Sequence, residues 1–166
     1  MVADLAAHNP FALLTLIVAP ALLTNATSLL ALSTSNRFLR AGERMRALAA
    51  ELEKELTAEE AKWRLTHVTR IENQAMLLLD ALRAAYVSLG SFVSASLISI
   101  VGAGLASQEL RPGAEIAMGI GLTLGFIGAG GIVWASVNLF RATQLSLMNI
   151  SEEANIVRAR AAQRHR

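Results

Sequence analysis

The stretch IAMGIGLTLGFIGAGGIVWASVNLF, Ile116–Phe140, decides the fold. It contains no Asp, Glu, Lys or Arg, and it is one of three such runs. The others are Phe11–Ser33 and about Ala84–Ala106, and each of the three holds at least 23 residues. A helix needs roughly 20 apolar residues to cross the hydrocarbon core of a bilayer. Backbone groups in lipid must be satisfied within the segment or in a closed barrel, and these runs lack a barrel's strict alternation. The sequence therefore predicts an all-α membrane protein with three transmembrane helices, not a soluble bundle. Hydrophobic content of 54% and charged content of 17% agree, since soluble domains carry less of the first and more of the second.

Outward from these runs, the charges orient the chain. Of the 15 Lys and Arg, nine lie in Arg37–Arg83 and five in Arg141–Arg166. The connection Ser107–Glu115 has only Arg111, and nothing before Phe11 is basic. Basic residues of short loops stay on the cytoplasmic side. The expected topology is N-terminus outside, the segment after the first span inside, the short connection outside, and the C-terminus inside. Phe11–Ser33 is too long for a cleaved signal peptide and has no basic n-region, so it reads as a retained span. Pro20 within it should kink the helix or open a hydrogen bond.

Four regions follow: residues 1–36, the N-terminal segment and first span; 37–83, a cytoplasmic helical hairpin; 84–140, the second and third spans; and 141–166, a basic tail. In the hairpin, Phe38, Ala41, Met45, Leu48 and Leu52 recur at spacings of 3 and 4, as do Val68, Ile71, Ala75, Leu78 and Leu82. These are coiled-coil seams. Thr57 and Glu60 have capping-box spacing, which starts a second helix at Ala58. Two antiparallel helices, Arg37–Leu56 and Ala58–Arg83, would form a stalk of roughly 30 Å. The second would run unbroken into the second span.

Several groups of residues are candidates for function. Thr24, Asn25, Thr27, Ser28 and Ser35 fall largely on one side of the first span, a stripe that is polar without charge. They would serve either as interhelical hydrogen-bond partners or as the lining of a path surrounded by several subunits. At the inner end stand Asn36, Arg37, Arg40 and Arg44, which would favour anions at a cytoplasmic mouth. The three arginines sit at i, i+3 and i+7 of one helix face, and a lipid-facing basic belt is the alternative. Asp80 and Arg83, three residues apart on one helical face, would form an interfacial ion pair, with a gating or ion-coordinating site as the alternative. Gly121, Gly125 and Ala129 of the third span, and Ser91, Ala95 and Ser99 of the second, are small residues at every fourth position, suited to close helix packing within or between subunits.

Other chemistry is not expected. His8, His67 and His165 have no metal-ligand spacing, and there is no cysteine. Gly119–Gly131 lies within an apolar run and lacks the Lys of a phosphate loop. No nucleophile–base pair can be assembled, so neither an enzyme nor a cofactor is expected. Arg158, Arg160, Arg164 and Arg166 would attract anionic lipid, and with no aromatic residue among them nucleic acid is not an expected partner.

Leu22-Leu23-Thr24 through Asn36-Arg37-Phe38-Leu39-Arg40, followed by Glu43-Arg44-Met45-Arg46-Ala47-Leu48, resembles the small bacterial and cyanobacterial membrane proteins catalogued only as a domain of unknown function. Their first span ends in an Asn-Arg-Leu-x-Arg-like signature with an acidic-Arg-x-Arg-x-Leu continuation, and Arg141–Leu147 is similar to a late stretch of the same family. The matching positions are Asn36, Arg37, Arg40, Glu43 and Arg44. The family usually has Asp where this chain has Glu43, and an acid near Asn138 and Leu139. The resemblance implies a bacterial inner-membrane topology and no assigned activity. The two readings of function are thus a homo-oligomeric pore lined by the first span, and a membrane scaffold or regulator that recruits a soluble partner through the hairpin and tail.

Overall fold

A computed structural model of the chain describes residues 10–52, 58–108 and 110–164, with side chains at most of these positions. All three elements are helices: α1 (Pro10–Leu52), α2 (Ala58–Ser107) and α3 (Arg111–Arg164). Two helical stretches, Arg64–Ser107 in α2 and Arg111–Met148 in α3, are long and apolar enough to cross a membrane. In α1 the described side chains include Thr24, Asn25, Thr27 and Ser28, which lower its hydropathy, and the side chains of residues 11–17 lie outside the description.

Each helix is longer than the apolar run that identifies it. α1 continues unbroken through Pro20 and past Asn36 to Leu52. α2 runs without interruption from Ala58 to Ser107. Residues 53–57, with the expected capping residue Thr57, lie outside the described residues. α3 begins at Arg111, not at Ile116, so the connection after α2 is shorter than Ser107–Glu115. Pro112 fits there because the first turn of a helix needs no donor from its own N–H. Leu110 donates its N–H to the Leu105 carbonyl at 3.1 Å, and its own carbonyl accepts from Ala114 at 3.2 Å. The basic tail is also a helix as far as Arg164.

The chain divides into two compact units. The first comprises Met1–Ser33 and Leu82–Ala135. Here α2 and α3 pack through small residues. A methyl group built on Gly128 would lie 2.7 Å from the Phe92 ring, and one on Gly131 would meet Ser88 Oγ and come within 3.1 Å of the Ala84 carbonyl. One on Gly102 would lie 3.1 Å from Ala117 Cβ. Hydroxyls in this unit bond back to their own helices: Thr27 Oγ1 donates to the Leu23 carbonyl at 2.6 Å, and Ser88 Oγ to Ala84 at 2.9 Å. Such back-bonding satisfies a hydroxyl where water is excluded.

The second unit comprises Thr34–Ala81 and Ser136–Arg166. Its core is Ala41, Ile71, Leu78 and Ala142, with Phe38, Met45, Leu48, Ala75, Leu77 and Leu139 packed against it. Seven of the ten seam residues take part (Phe38, Ala41, Met45, Leu48, Ile71, Ala75 and Leu78), but Leu139 and Ala142 belong to α3. The expected two-helix hairpin is therefore a three-helix cluster. The reason is the length of α3, whose helix does not stop at the end of its apolar run.

Candidate anion-binding cavity

The most developed polar site lies within the second unit. Arg37, Arg40, Ala41 and Arg44 of α1, Ile71, Gln74 and Leu78 of α2, and Ala142, Thr143 and Ser146 of α3 line a cavity of about 210 Å³. At 100° per residue, positions i, i+3 and i+7 place the three arginines within about 60° of arc on α1. The same helix turns Ala41 into the core, where it is 5% exposed. The cavity thus has an apolar floor of Ala41, Ile71, Leu78 and Ala142 beneath an exposed basic rim. Among the described residues its lining includes three arginines and no carboxylate.

Two hydrogen bonds tie one arginine to the neighbouring helix. Arg37 Nη1 donates to Thr143 Oγ1 at 3.3 Å, and Thr143 Oγ1 donates to the Leu139 carbonyl at 2.8 Å. The hydroxyl proton is thereby committed to α3's own backbone, and the oxygen accepts from the guanidinium. This last bond links Arg37 of α1 to α3. A guanidinium has five donors in a planar fork suited to carboxylate or phosphate oxygens. Gln74 and Ser146 add neutral donors to the rim. The chemistry this arrangement supports is recognition of a small anion.

Arg37, Arg40 and Arg44 all line this cavity, while Asn36 is exposed and not part of the lining. Gln74, Thr143 and Ser146 are not legible as site residues in the sequence. Gln74 lies between the seam positions Ile71 and Leu78, a weak pointer; Thr143 and Ser146 could be found only by knowing that α3 continues beside α1 in this unit.

The other candidates are distributed differently. Thr27 and Thr34 are buried, Thr24 and Ser35 half-buried, and Asn25 and Ser28 exposed. Asn25 lies about 160° around the helix from Thr27, whereas Thr24, Thr27, Ser28 and Ser35 fall within about 100° of arc. Asp80 is half-buried and Arg83 exposed, and each has an interaction partner. Ser91 and Ala95 are buried, Ser99 half-buried, and a methyl group on Gly121 would make ordinary contact with Ser99 Oγ at 3.5 Å. Gly125 meets nothing within 4 Å, and Ala129 is exposed. A four-residue period gains about 40° per step on a helix of 3.6 residues per turn. The packed face is therefore Ala117, Gly121, Gly128, Gly131 and Ala135. Among the described residues no group of His, Cys, Asp and Glu could hold a metal ion.

Fold and cavity together define an all-helical protein with two helices apolar enough to span a membrane and a three-helix unit bearing an arginine-rimmed cavity. The chain belongs to the family described as Protein of unknown function (DUF2721), which matches residues 17–151. Neither a curated protein nor a solved structure matches it.

Proposed function

We propose that this chain is a three-span inner-membrane protein, N-terminus outside, that acts as a membrane-anchored regulator through its cytoplasmic three-helix unit. The observation that carries this reading is where the polar chemistry lies. In the first span, Thr24, Thr27 and Ser28 donate their hydroxyls to carbonyls four residues earlier. In the second unit, three arginines and their neutral neighbours surround a cavity. Membrane residence is supported by the apolar lengths of α2 and α3 and by exposed side chains such as Phe126 at 77% and Ile116 at 65%, a surface suited to lipid. The charge asymmetry of the sequence supports the orientation. Gly125 has space beside it, which suits approach by a helix of a second copy and a homo-oligomer.

A pore is the second reading, favoured by the exposure of Asn25 and Ser28. One experiment separates the two. Asn25→Leu with Ser28→Leu is reconstituted in liposomes, with ion flux measured and particle mass determined by native mass spectrometry. A regulator shows no flux above protein-free liposomes in either the parent or the double variant. Flux in the parent that is lost in a variant of unchanged mass would establish the pore.

A further inference from the structure

We propose that the cavity rimmed by Arg37, Arg40 and Arg44 is a binding site for a phosphomonoester group, carried by a lipid headgroup or by a small soluble phosphate. Its charge is the first argument. Three guanidiniums within eight residues of one helix repel one another, with Glu43 the only acid between them in sequence, and among the described residues no carboxylate lines the cavity. Like charges on one helix face are destabilising, and an anion seated among them reverses that sign. A phosphomonoester carries about −1.5 to −2 charges at neutral pH and three acceptor oxygens. That matches three forked donors better than the single charge and two oxygens of a carboxylate.

Geometry is the second argument. Arg37 is already fixed by Thr143, so part of the entropy of ordering a long side chain is lost before any ligand arrives. The Thr143 hydroxyl does not donate to the ligand as well, because it donates its one proton to the Leu139 carbonyl. Neutral donation must come from Gln74 and Ser146, on the other two helices. An anion would therefore touch α1, α2 and α3 together. The apolar floor excludes water on one side and strengthens each charge-assisted bond. A volume of about 210 Å³ accommodates a phosphate with a few attached atoms, not an extended polymer.

The inference deepens the reading of the second unit as the working part, and depends on the topology only for which source reaches the cavity. It is tested on the full chain in nanodiscs, whose two faces are both open to solution, so that a wrong topology cannot mimic a missing site. One arm titrates inorganic phosphate into protein in phosphatidylcholine discs, read by calorimetry. The other uses discs containing a minority of phosphatidic acid, against discs with the same fraction of phosphatidylglycerol, and reads retained lipid by native mass spectrometry. Binding in the first arm identifies a soluble source; selective retention of phosphatidic acid identifies the headgroup. In either arm, Arg40→Gln with Arg44→Gln should weaken binding by about tenfold or more, since each removes charge-assisted bonds. Arg158→Gln, exposed and outside the cavity, should leave it unchanged. Ligand-free melting checks that the variants fold; should the double variant melt early, Gln74→Leu, which leaves the charges in place, should still weaken binding several-fold. The proposal is overturned by binding in neither arm, by equal retention of phosphatidylglycerol, or by undiminished binding in a folded double variant.

Discussion

The two units are held together by opposite means. In the first, α2 and α3 meet where side chains are missing: Gly128 admits the Phe92 ring, and Gly131 admits Ser88 and the Ala84 backbone. In the second, the helices meet where side chains are present, around Ile71 and Leu78 with Phe38, Met45 and Leu48 beside them. The difference is the one expected if, as proposed, the first unit lies in lipid and the second in water. Between helices in lipid, burying apolar groups supplies no driving force, so close backbone approach and dispersion must hold the pair. In water, burial of Leu and Ile side chains stabilises by about 25 cal/mol per Å².

This contrast can be broken from either side. The largest effect is expected from truncation in the second unit. Leu78 is 2% exposed, and Leu78→Ala should destabilise by about 3 kcal/mol through lost burial and the cavity left behind. Circular dichroism of thermal unfolding would show it; an unchanged transition would mean that the cluster is not a core. The first unit should instead fail by addition. Gly131→Val should cost about 1–3 kcal/mol by forcing α2 and α3 apart, measured by unfolding in mixed detergent micelles. Gly125→Val, with nothing within 4 Å, should be nearly neutral, and equal damage from both would show that the packed face is not the one described.

Two smaller effects sharpen the contrast. Thr143→Val removes the oxygen that accepts from Arg37. It should weaken phosphate binding by about threefold, less than loss of a guanidinium, because the positioning of Arg37 is lost while its charge and donors remain. A phosphate titration of the variant, with binding and melting read separately, distinguishes loss of positioning from loss of fold. Ser96 Oγ is a buried atom without a hydrogen-bond partner. Ser96→Ala should raise stability by up to about 1 kcal/mol, since an unsatisfied hydroxyl away from water is itself destabilising. A clear fall in the unfolding midpoint would show that this hydroxyl is used.

Most of the helical architecture is legible in the sequence, for local reasons. Charge-free runs and 3-4 spacing act over one or two turns, so Ile71, Leu78 and Ala41 read directly as core. The angle between Asn25 and Thr27 is equally legible once the helix is known to run unbroken through Pro20. The site is legible only in part. Arg37, Arg40 and Arg44 share a face by counting residues, but what faces them depends on which helix comes alongside. Thr143 lies 106 residues from Arg37, and no periodicity in either segment links them. The end of α3 is hidden for a related reason: polar residues after Phe140 mark the end of an apolar run, not the end of a helix.

That the arginine-rimmed unit faces the cytoplasm beneath three spans is tested most directly by cysteine labelling. The chain has no cysteine, so each single substitution reports only its own position. Ala6→Cys, Ala47→Cys, Gln108→Cys and Ser151→Cys would be treated with a membrane-impermeant maleimide in spheroplasts and in inside-out vesicles. Positions 6 and 108 should label in spheroplasts, and 47 and 151 only in inside-out vesicles. Labelling of position 6 from the same side as position 47 would remove the first span, and labelling of position 108 from that side would contradict the proposed topology altogether.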